Sequence, residues 1–195
     1  MPATPSIAAD RIRLIRLLAE RSTKRGRFTL ASGRESTIYV DARLTTMSPE
    51  GLALIGPVAL AMIREAGWAP DAVGGLTLGA DPVSYAVSYA SALAGTPVRA
   101  FTVRKEAKQH GTGKLIEGPY RAGDRVVVIE DVITTGGSAQ RAIGAVRAAG
   151  GTVLGVLAVV DREEGGRETL EQGGIAVRAL ATLSEIVAAL PPEAP

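Results

Sequence analysis

Residues 125–138 read RVVVIEDVITTGGS, and this stretch decides the fold. Val126 to Ile129 is an unbroken run of β-branched residues, the composition of a strand buried on both faces. Two acids, Glu130 and Asp131, end the strand, and Thr134, Thr135, Gly136, Gly137 and Ser138 carry the chain into a helix over Ala139 to Ala149. Gly150-Gly151 then stops the helix. A helix placed directly after a doubly buried strand is the βα half of a parallel unit. The fold class is therefore α/β, with a central, mostly parallel sheet flanked by helices.

The same alternation extends to both sides of this segment. Upstream, the pattern predicts a strand over Ala72 to Leu78, a helix over Pro82 to Leu93 and a strand over Pro97 to Val103. Downstream it predicts strands over Val153 to Val160 and Ala176 to Ala181, then a short last helix capped by Ser184. Ser48 followed by Pro49 is a helix start, and that helix runs to about Ala66. Nearer the N-terminus, Ile12, Ile15 and Leu18 fall at helical spacing within residues 8–20. Two short strands, Phe28 to Leu30 and Thr37 to Asp41, flank a Ser32-Gly33 turn and form a small cap on the main sheet. The 195 residues suit one domain spanning 1–195 and are too few for two ordinary domains with a linker.

Composition removes several classes of function. No cysteine is present, which rules out disulfides, zinc-thiolate sites and a cysteine nucleophile, and fits the reducing cytoplasm. The most apolar stretch, Leu52 to Ile63, is broken by Gly56 and Pro57 and falls short of the ~20 residues that cross a bilayer, so no membrane partner is expected. The opening MPATPSIAAD lacks the basic-then-apolar order of a secretory leader. A net charge of +2 gives no reason to expect a nucleic-acid partner. Lysine placement is more informative. Lys24, Lys105, Lys108 and Lys114 are the only four, and the last three crowd into residues 105–114.

Ligands of parallel α/β sheets bind at the carboxyl ends of the strands, which is where the 130–138 turn must lie. Its glycines let backbone N–H groups converge, its hydroxyls add donors, and the helix N-terminus adds partial positive charge, all of which suit a phosphate. Glu130 and Asp131 would repel a phosphate, but paired carboxylates accept hydrogen bonds from the 2' and 3' hydroxyls of a ribose. Together these features describe a ribose 5-phosphate site. The plainer reading is a strand end followed by a turn and a helix cap. A Walker A loop and GxGxxG are both absent.

VVVIEDVITTGGS resembles the motif with which type I phosphoribosyltransferases bind phosphoribosyl pyrophosphate (PRPP). Arg104-Lys105-Glu106-Ala107-Lys108-Gln109-His110-Gly111 resembles the catalytic loop of the orotate-specific members. Phe28 to Gly33 resembles the family's N-terminal substrate segment, and Asp161-Arg162 its orotate-contacting strand end. The resemblance implies the type I phosphoribosyltransferase fold with a small hood, mainly within 1–45 plus part of the C-terminal region. It also implies transfer of the ribose 5-phosphate group of PRPP to orotate, giving orotidine 5'-monophosphate and pyrophosphate in pyrimidine biosynthesis. The implied cofactor is Mg2+, held mainly by PRPP and water with no direct protein ligand. A homodimer with shared active sites is implied as well, in which Arg104, Lys108 and His110 serve the neighbouring subunit and Lys105 its own.

On this reading PRPP contacts fall on Arg104, Lys105, Lys108 and His110 and on Glu130, Asp131, Val132, Ile133, Thr134, Thr135, Gly136, Gly137 and Ser138. Catalysis falls on Lys108, Arg104, Lys105, His110 and Asp131. The loop cations stabilise charge on the departing pyrophosphate, with Lys108 carrying the largest share; the plain alternative is a solvated basic loop. Orotate bears a carboxylate, for which Arg162 is the bidentate partner and Thr134 a hydroxyl donor. An arginine after a strand also commonly serves as a surface ion-pair partner. Tyr39 either covers the base or packs in the core. Ala31 and Val83 depart from family lysines, and Gly79-Ala80-Asp81-Pro82 resembles an alternative pyrophosphate loop in which Ala80-Asp81 is the candidate for a cis peptide. The competing functions are a purine or other base phosphoribosyltransferase and a non-catalytic PRPP-sensing regulator.

Overall fold

A computed structural model describes residues 6–29, 35–106 and 114–192, and the RVVVI run lies at the centre of its six-stranded sheet. The chain opens with α1 (Ile7–Leu17), whose first turn is closed by Ser6 accepting from the Ala9 N–H at 3.2 Å. One π-helical segment, Leu18–Ser22, leads into an antiparallel hairpin of β1 (Thr23–Thr29) and β2 (Glu35–Val40). A four-residue helix, α2 (Arg43–Thr46), precedes α3 (Pro49–Glu65). The start of α3 is as the sequence predicts: Ser48 accepts from the Gly51 N–H at 3.0 Å, and Pro49 occupies the first helical position. The alternating part follows as β3 (Ala72–Leu76), α4 (Ala80–Leu93), β4 (Arg99–Val103), β5 (Ile116–Glu117), β6 (Arg125–Ile133), α5 (Gly137–Ala148), β7 (Thr152–Asp161), α6 (Gly166–Gln172), β8 (Val177–Thr182) and α7 (Leu183–Ala188).

The sheet order is β5-β4-β3-β6-β7-β8, and only the β4–β5 pairing is antiparallel. The period-2 alternation of β6 explains its continuous apolar composition. Val127 and Ile129 pack on one face with Leu14, Ile55, Ile63 and Val87 from the helices α1, α3 and α4. Val126 and Val128 pack on the other with Ala142 and Val146 of α5 and with Phe101 of β4. All four β6 side chains are fully buried, and each such burial contributes roughly 1.5–3 kcal/mol. The N-terminal helix is tied to the C-terminal one by a pair of hydrogen bonds from Arg11 to Glu185, both at 2.8 Å.

Several expectations are corrected. β6 does not end at the acids. It runs to Ile133 because β7 keeps pairing with it, Val132 opposite Val160 and Ile133 opposite Asp161, so Glu130 and Asp131 are strand residues with fixed directions. The cap of α7 is Thr182 and not Ser184: Thr182 accepts from the Glu185 N–H at 3.2 Å, while the Glu185 carboxylate accepts from the Thr182 N–H at 2.9 Å. Ser184 lies within the first turn and donates to Glu163 at 2.6 Å. The cis peptide is Thr77–Leu78, not Ala80-Asp81. The elements α2, β5 and α6 went unpredicted because their four, two and seven residues are too short to display a period.

Candidate active site

The sheet changes direction between β3 and β6: from β3 the chain crosses to β4 on one side, and from β6 to β7 on the other. At such a switch point the strand ends diverge and leave a crevice. Its floor is formed by the loop after β3 (Thr77, Leu78, Gly79), by the β6 end with Glu130 and Asp131, and by Arg162 after β7. The resulting cleft encloses about 400 Å³, and a second cavity of about 250 Å³ adjoins it over the Thr134–Ser138 turn. A larger cavity, about 900 Å³ between α3 and α4, is lined mainly by apolar side chains.

Local geometry explains the residue types in the turn. Gly136 adopts φ +83°, a left-handed conformation that side-chain-bearing residues rarely adopt. It turns the strand into α5 so that the N-terminal N–H groups of the helix face the smaller cavity. The hydroxyl-bearing residues Thr134, Thr135 and Ser138 line the same space. Gly79 has a different reason: its backbone is ordinary helix, but a Cβ there would collide with the Asp131 carboxyl group. That contact brings the loop after β3 against the second acid of β6.

Asp81, at the start of α4, holds this loop in place. Its carboxylate accepts from the Thr77 hydroxyl at 2.7 Å and from the Thr102 hydroxyl of β4 at 2.7 Å. Asp131 accepts from the Val132 N–H at 2.9 Å. Glu130 is only 6% exposed, and its Oε2 has no hydrogen-bond partner. Burial, reinforced by the charge of Asp131, pushes the Glu130 carboxyl up to about 9. A buried acceptor left unpaired costs free energy unless a ligand supplies the donor, so this atom marks a place where a hydroxyl belongs.

Among the described residues four cations line the two cavities: Arg43, Lys105, Arg141 and Arg162. Arg43 is clamped to Asp41 by hydrogen bonds of 2.8 and 3.0 Å, and this holds the Asp41 carboxyl below its usual range. Arg162 is 5% exposed. Its Nη2 donates to the Ile38 carbonyl at 3.4 Å, and its Nε lies 2.9 Å from Glu164 in an ion pair whose geometry makes no hydrogen bond. The surface ion-pair reading of Arg162 therefore fails, because this pair is buried in the cleft wall. Tyr39 also lines the cleft, 39% exposed with its ring 5.4 Å from that of Phe28, which excludes a packed core position.

The sequence-derived residues thus gather unequally. Glu130, Val132, Ile133, Thr134, Thr135, Gly136, Gly137 and Ser138 line the smaller cavity, and Asp131, Lys105 and Arg162 the cleft. Arg104 does not line either: it donates to the Glu106 carbonyl at 3.3 Å and lies 3.6 Å from Glu117. Lys108, His110 and Ala31 lie outside the described residues. Val83 is a core residue of α4, 1% exposed. Sequence reasoning missed Asp41, Arg43, Thr77 and Arg141. Thr77 follows a buried strand, a position that could have flagged it, and Arg141 lies one helical turn beyond Ser138.

The family model for the phosphoribosyl transferase domain matches residues 46–172. The orotate phosphoribosyltransferase of Aquifex aeolicus is 48% identical over 181 residues, covering 91% of this chain and 98% of the relative. Among solved structures, the Mycobacterium tuberculosis orotate phosphoribosyltransferase in complex with Fe(III) dicitrate is 45% identical with a TM-score of 0.81, over 91% of this chain and 98% of that one. The structure of that enzyme in complex with PRPP aligns at 38% identity with a TM-score of 0.74, over 91% of each chain. The span 46–172 takes in the ends of β3, β6 and β7 that build the cleft.

Proposed function

The chain belongs to the phosphoribosyltransferase family and, within it, to the orotate phosphoribosyltransferases, and from this we propose how its residues divide the work. It transfers the ribose 5-phosphate group of PRPP to orotate, giving orotidine 5'-monophosphate and pyrophosphate, a step of pyrimidine biosynthesis. The purine-enzyme and regulator alternatives give way to relatives at 42–48% identity that carry the orotate name.

In our assignment the 5'-phosphate lies on the Thr134–Ser138 turn, where hydroxyls and helix N–H groups converge. Asp131 and Glu130 take the ribose hydroxyls, which would satisfy the unpaired Glu130 Oε2. Pyrophosphate faces the Thr77–Gly79 loop, and orotate lies toward Arg162 with its carboxylate near the guanidinium, Thr134 donating and Tyr39 covering the ring. The C1'–O bond breaks with its electron pair leaving on pyrophosphate, and the N1 nitrogen of orotate forms the new bond to C1' as its N1–H proton is lost to the pyrophosphate oxygens or to water. Catalysis is positioning together with cations that meet the charge of the leaving group.

Enzymes that use PRPP generally require Mg2+, and we assign it to this protein. Among the described residues no group of three or more His, Asp or Glu side chains could hold a metal ion. Mg2+ is a hard ion that binds mostly through ligand and water oxygens, and we assign Asp131 as a carboxylate that would meet it through water. When bound, Mg2+ offsets the charge of the pyrophosphate.

We further read the protein as a homodimer in which Arg104, Lys108 and His110 close over the partner's site while Lys105 serves its own. Lys105 lines this chain's cleft and Arg104 turns away from it, in keeping with that division. The chain is one domain whose hood joins the N-terminal segment to the C-terminal helix, a view supported by the Arg11–Glu185 pair. Cytoplasmic residence fits the lack of cysteine. Among the described residues no helix is long and apolar enough to cross a membrane.

The observation that carries the site assignment is the joining, at one switch point, of a phosphate turn, a pair of ribose-facing acids and a buried arginine. Incubation with PRPP, Mg2+ and either orotate or a purine, followed by pyrophosphate release, tests it. Release with orotate alone is expected, and comparable rates with adenine, hypoxanthine or guanine would overturn it.

A further inference from the structure

We infer that Arg141 is a PRPP-binding residue, closing over the 5'-phosphate from the second turn of α5 and supplying a full positive charge to that subsite. The inference rests on the reading of the Thr134–Ser138 turn as the phosphate cradle.

Arg141 stands three residues beyond Ser138. Helical side chains lean toward the N-terminus, so residues at i and i+3 meet on one face. Accordingly the Arg141 guanidinium reaches back over the turn, with Nη2 3.4 Å from the Ser138 hydroxyl. Arg141 lines both the small cavity over the turn and the adjoining cleft.

The charge balance of the cradle requires such a group. A phosphate monoester carries between about one and a half and two negative charges near neutral pH. The helix N-terminus offers roughly half a positive charge. The remaining donors of the turn are neutral hydroxyls and N–H groups, and Glu130 in the floor can only add negative charge. Of the four cations lining the two cavities, Arg43 is held by Asp41 and Arg162 by Glu164. Lys105 lines the cleft but not the cradle. Among the described residues Arg141 makes no ion pair, although its charge acts on the Glu130 carboxyl across the cavity. Its one hydrogen bond is long, to a neutral hydroxyl, and readily exchanged for a phosphate oxygen. A guanidinium on an exposed, flexible stem can present two parallel N–H donors to that phosphate.

The test compares Arg141→Ala and Arg141→Lys with Thr135→Val, which alters the turn itself. Initial rates are measured with PRPP varied at saturating orotate and with orotate varied at saturating PRPP. Ribose 5-phosphate serves as an inhibitor competing with PRPP. For Arg141→Ala the PRPP KM and the ribose 5-phosphate inhibition constant should both rise about tenfold or more, the loss expected for a charged hydrogen bond. Orotate KM and the melting temperature should stay at wild-type values, and Arg141→Lys should recover part of the loss. A merely structural arginine would not move the inhibition constant selectively. If Thr135→Val raises the PRPP KM while Arg141→Ala leaves both constants unchanged, Arg141 does not bind phosphate. If Thr135→Val also leaves them unchanged, the cradle reading fails, and the role of Arg141 fails with it.

Discussion

Replacing Glu130 by glutamine should make the unliganded protein more stable, and by an amount that depends on pH. Buried beside Asp131, the Glu130 carboxyl titrates near 9 when folded, against 4.5 for the ordinary group. Its raised value means that the stability contribution is fully present below pH 4.5 and is lost as pH rises through the folded value. In between, folding must take up a proton, at about 1.4 kcal/mol for each pH unit above 4.5. At pH 7 the penalty is on the order of 3 kcal/mol, and it levels off above about pH 9. Glutamine has nearly the same shape and no proton to take up. The Glu130→Gln variant should therefore gain on wild type progressively from pH 5 to pH 8.5, with a melting temperature higher by very roughly ten degrees at pH 7. Urea or thermal unfolding of both proteins across that range measures it. Any constant difference reports the changed hydrogen bonding of the amide, and only the slope reports the proton. A difference that stays flat with pH would refute the claim that Glu130 is neutral in the folded protein. The same variant should bind PRPP more weakly, so that this site exchanges stability for function.

Three other experiments separate the parts of the site. Arg162→Ala should raise the orotate KM and leave the PRPP KM nearly intact, and uracil, which lacks the carboxylate, should be a poor substrate of the wild type; an equal loss toward both substrates in steady-state kinetics would contradict the assignment. Gly79→Ala keeps a helical backbone yet sets a methyl group against Asp131, so the PRPP KM should rise while the melting temperature changes little, and unchanged kinetics would mean that the loop and the acid can separate at no cost. Mixing Lys108→Ala with Asp131→Asn protein under subunit exchange should restore roughly a quarter of wild-type activity, because half the dimers are hybrids with one intact site. Activity that stays at parental levels, with exchange verified by native mass spectrometry, would place Lys108 in its own chain's site.

What the residues determined by themselves was the class of fold and the nature of the central turn. Val126 to Ile129 cannot be anything but a doubly buried strand beside a helix, because local composition and period already encode burial on both faces. The Ser48-Pro49 start of α3 was legible for the same reason, its signal being contained within a few residues. The Thr134–Ser138 turn was legible as a strand-to-helix turn because its glycines mark it locally, Gly136 taking φ +83°. Boundaries set by partners were not. β6 extends through the acids only because β7 offers Val160 and Asp161 to pair with, and α7 is capped by Thr182 only because Glu185 folds back onto it.

The site shows the same division more sharply. Thr77, Gly79, Asp131, Arg141 and Arg162 belong to segments that are remote in sequence, and no local pattern announces that they share a cleft. The switch between β3 and β6 brings the strand ends together, and burial then alters the chemistry of what it gathers. Glu130 and Asp131 are adjacent acids in the sequence. Both line the cleft, and tertiary structure alone buries Glu130 to 6% exposure and leaves its Oε2 without a partner while Asp131 stays more open.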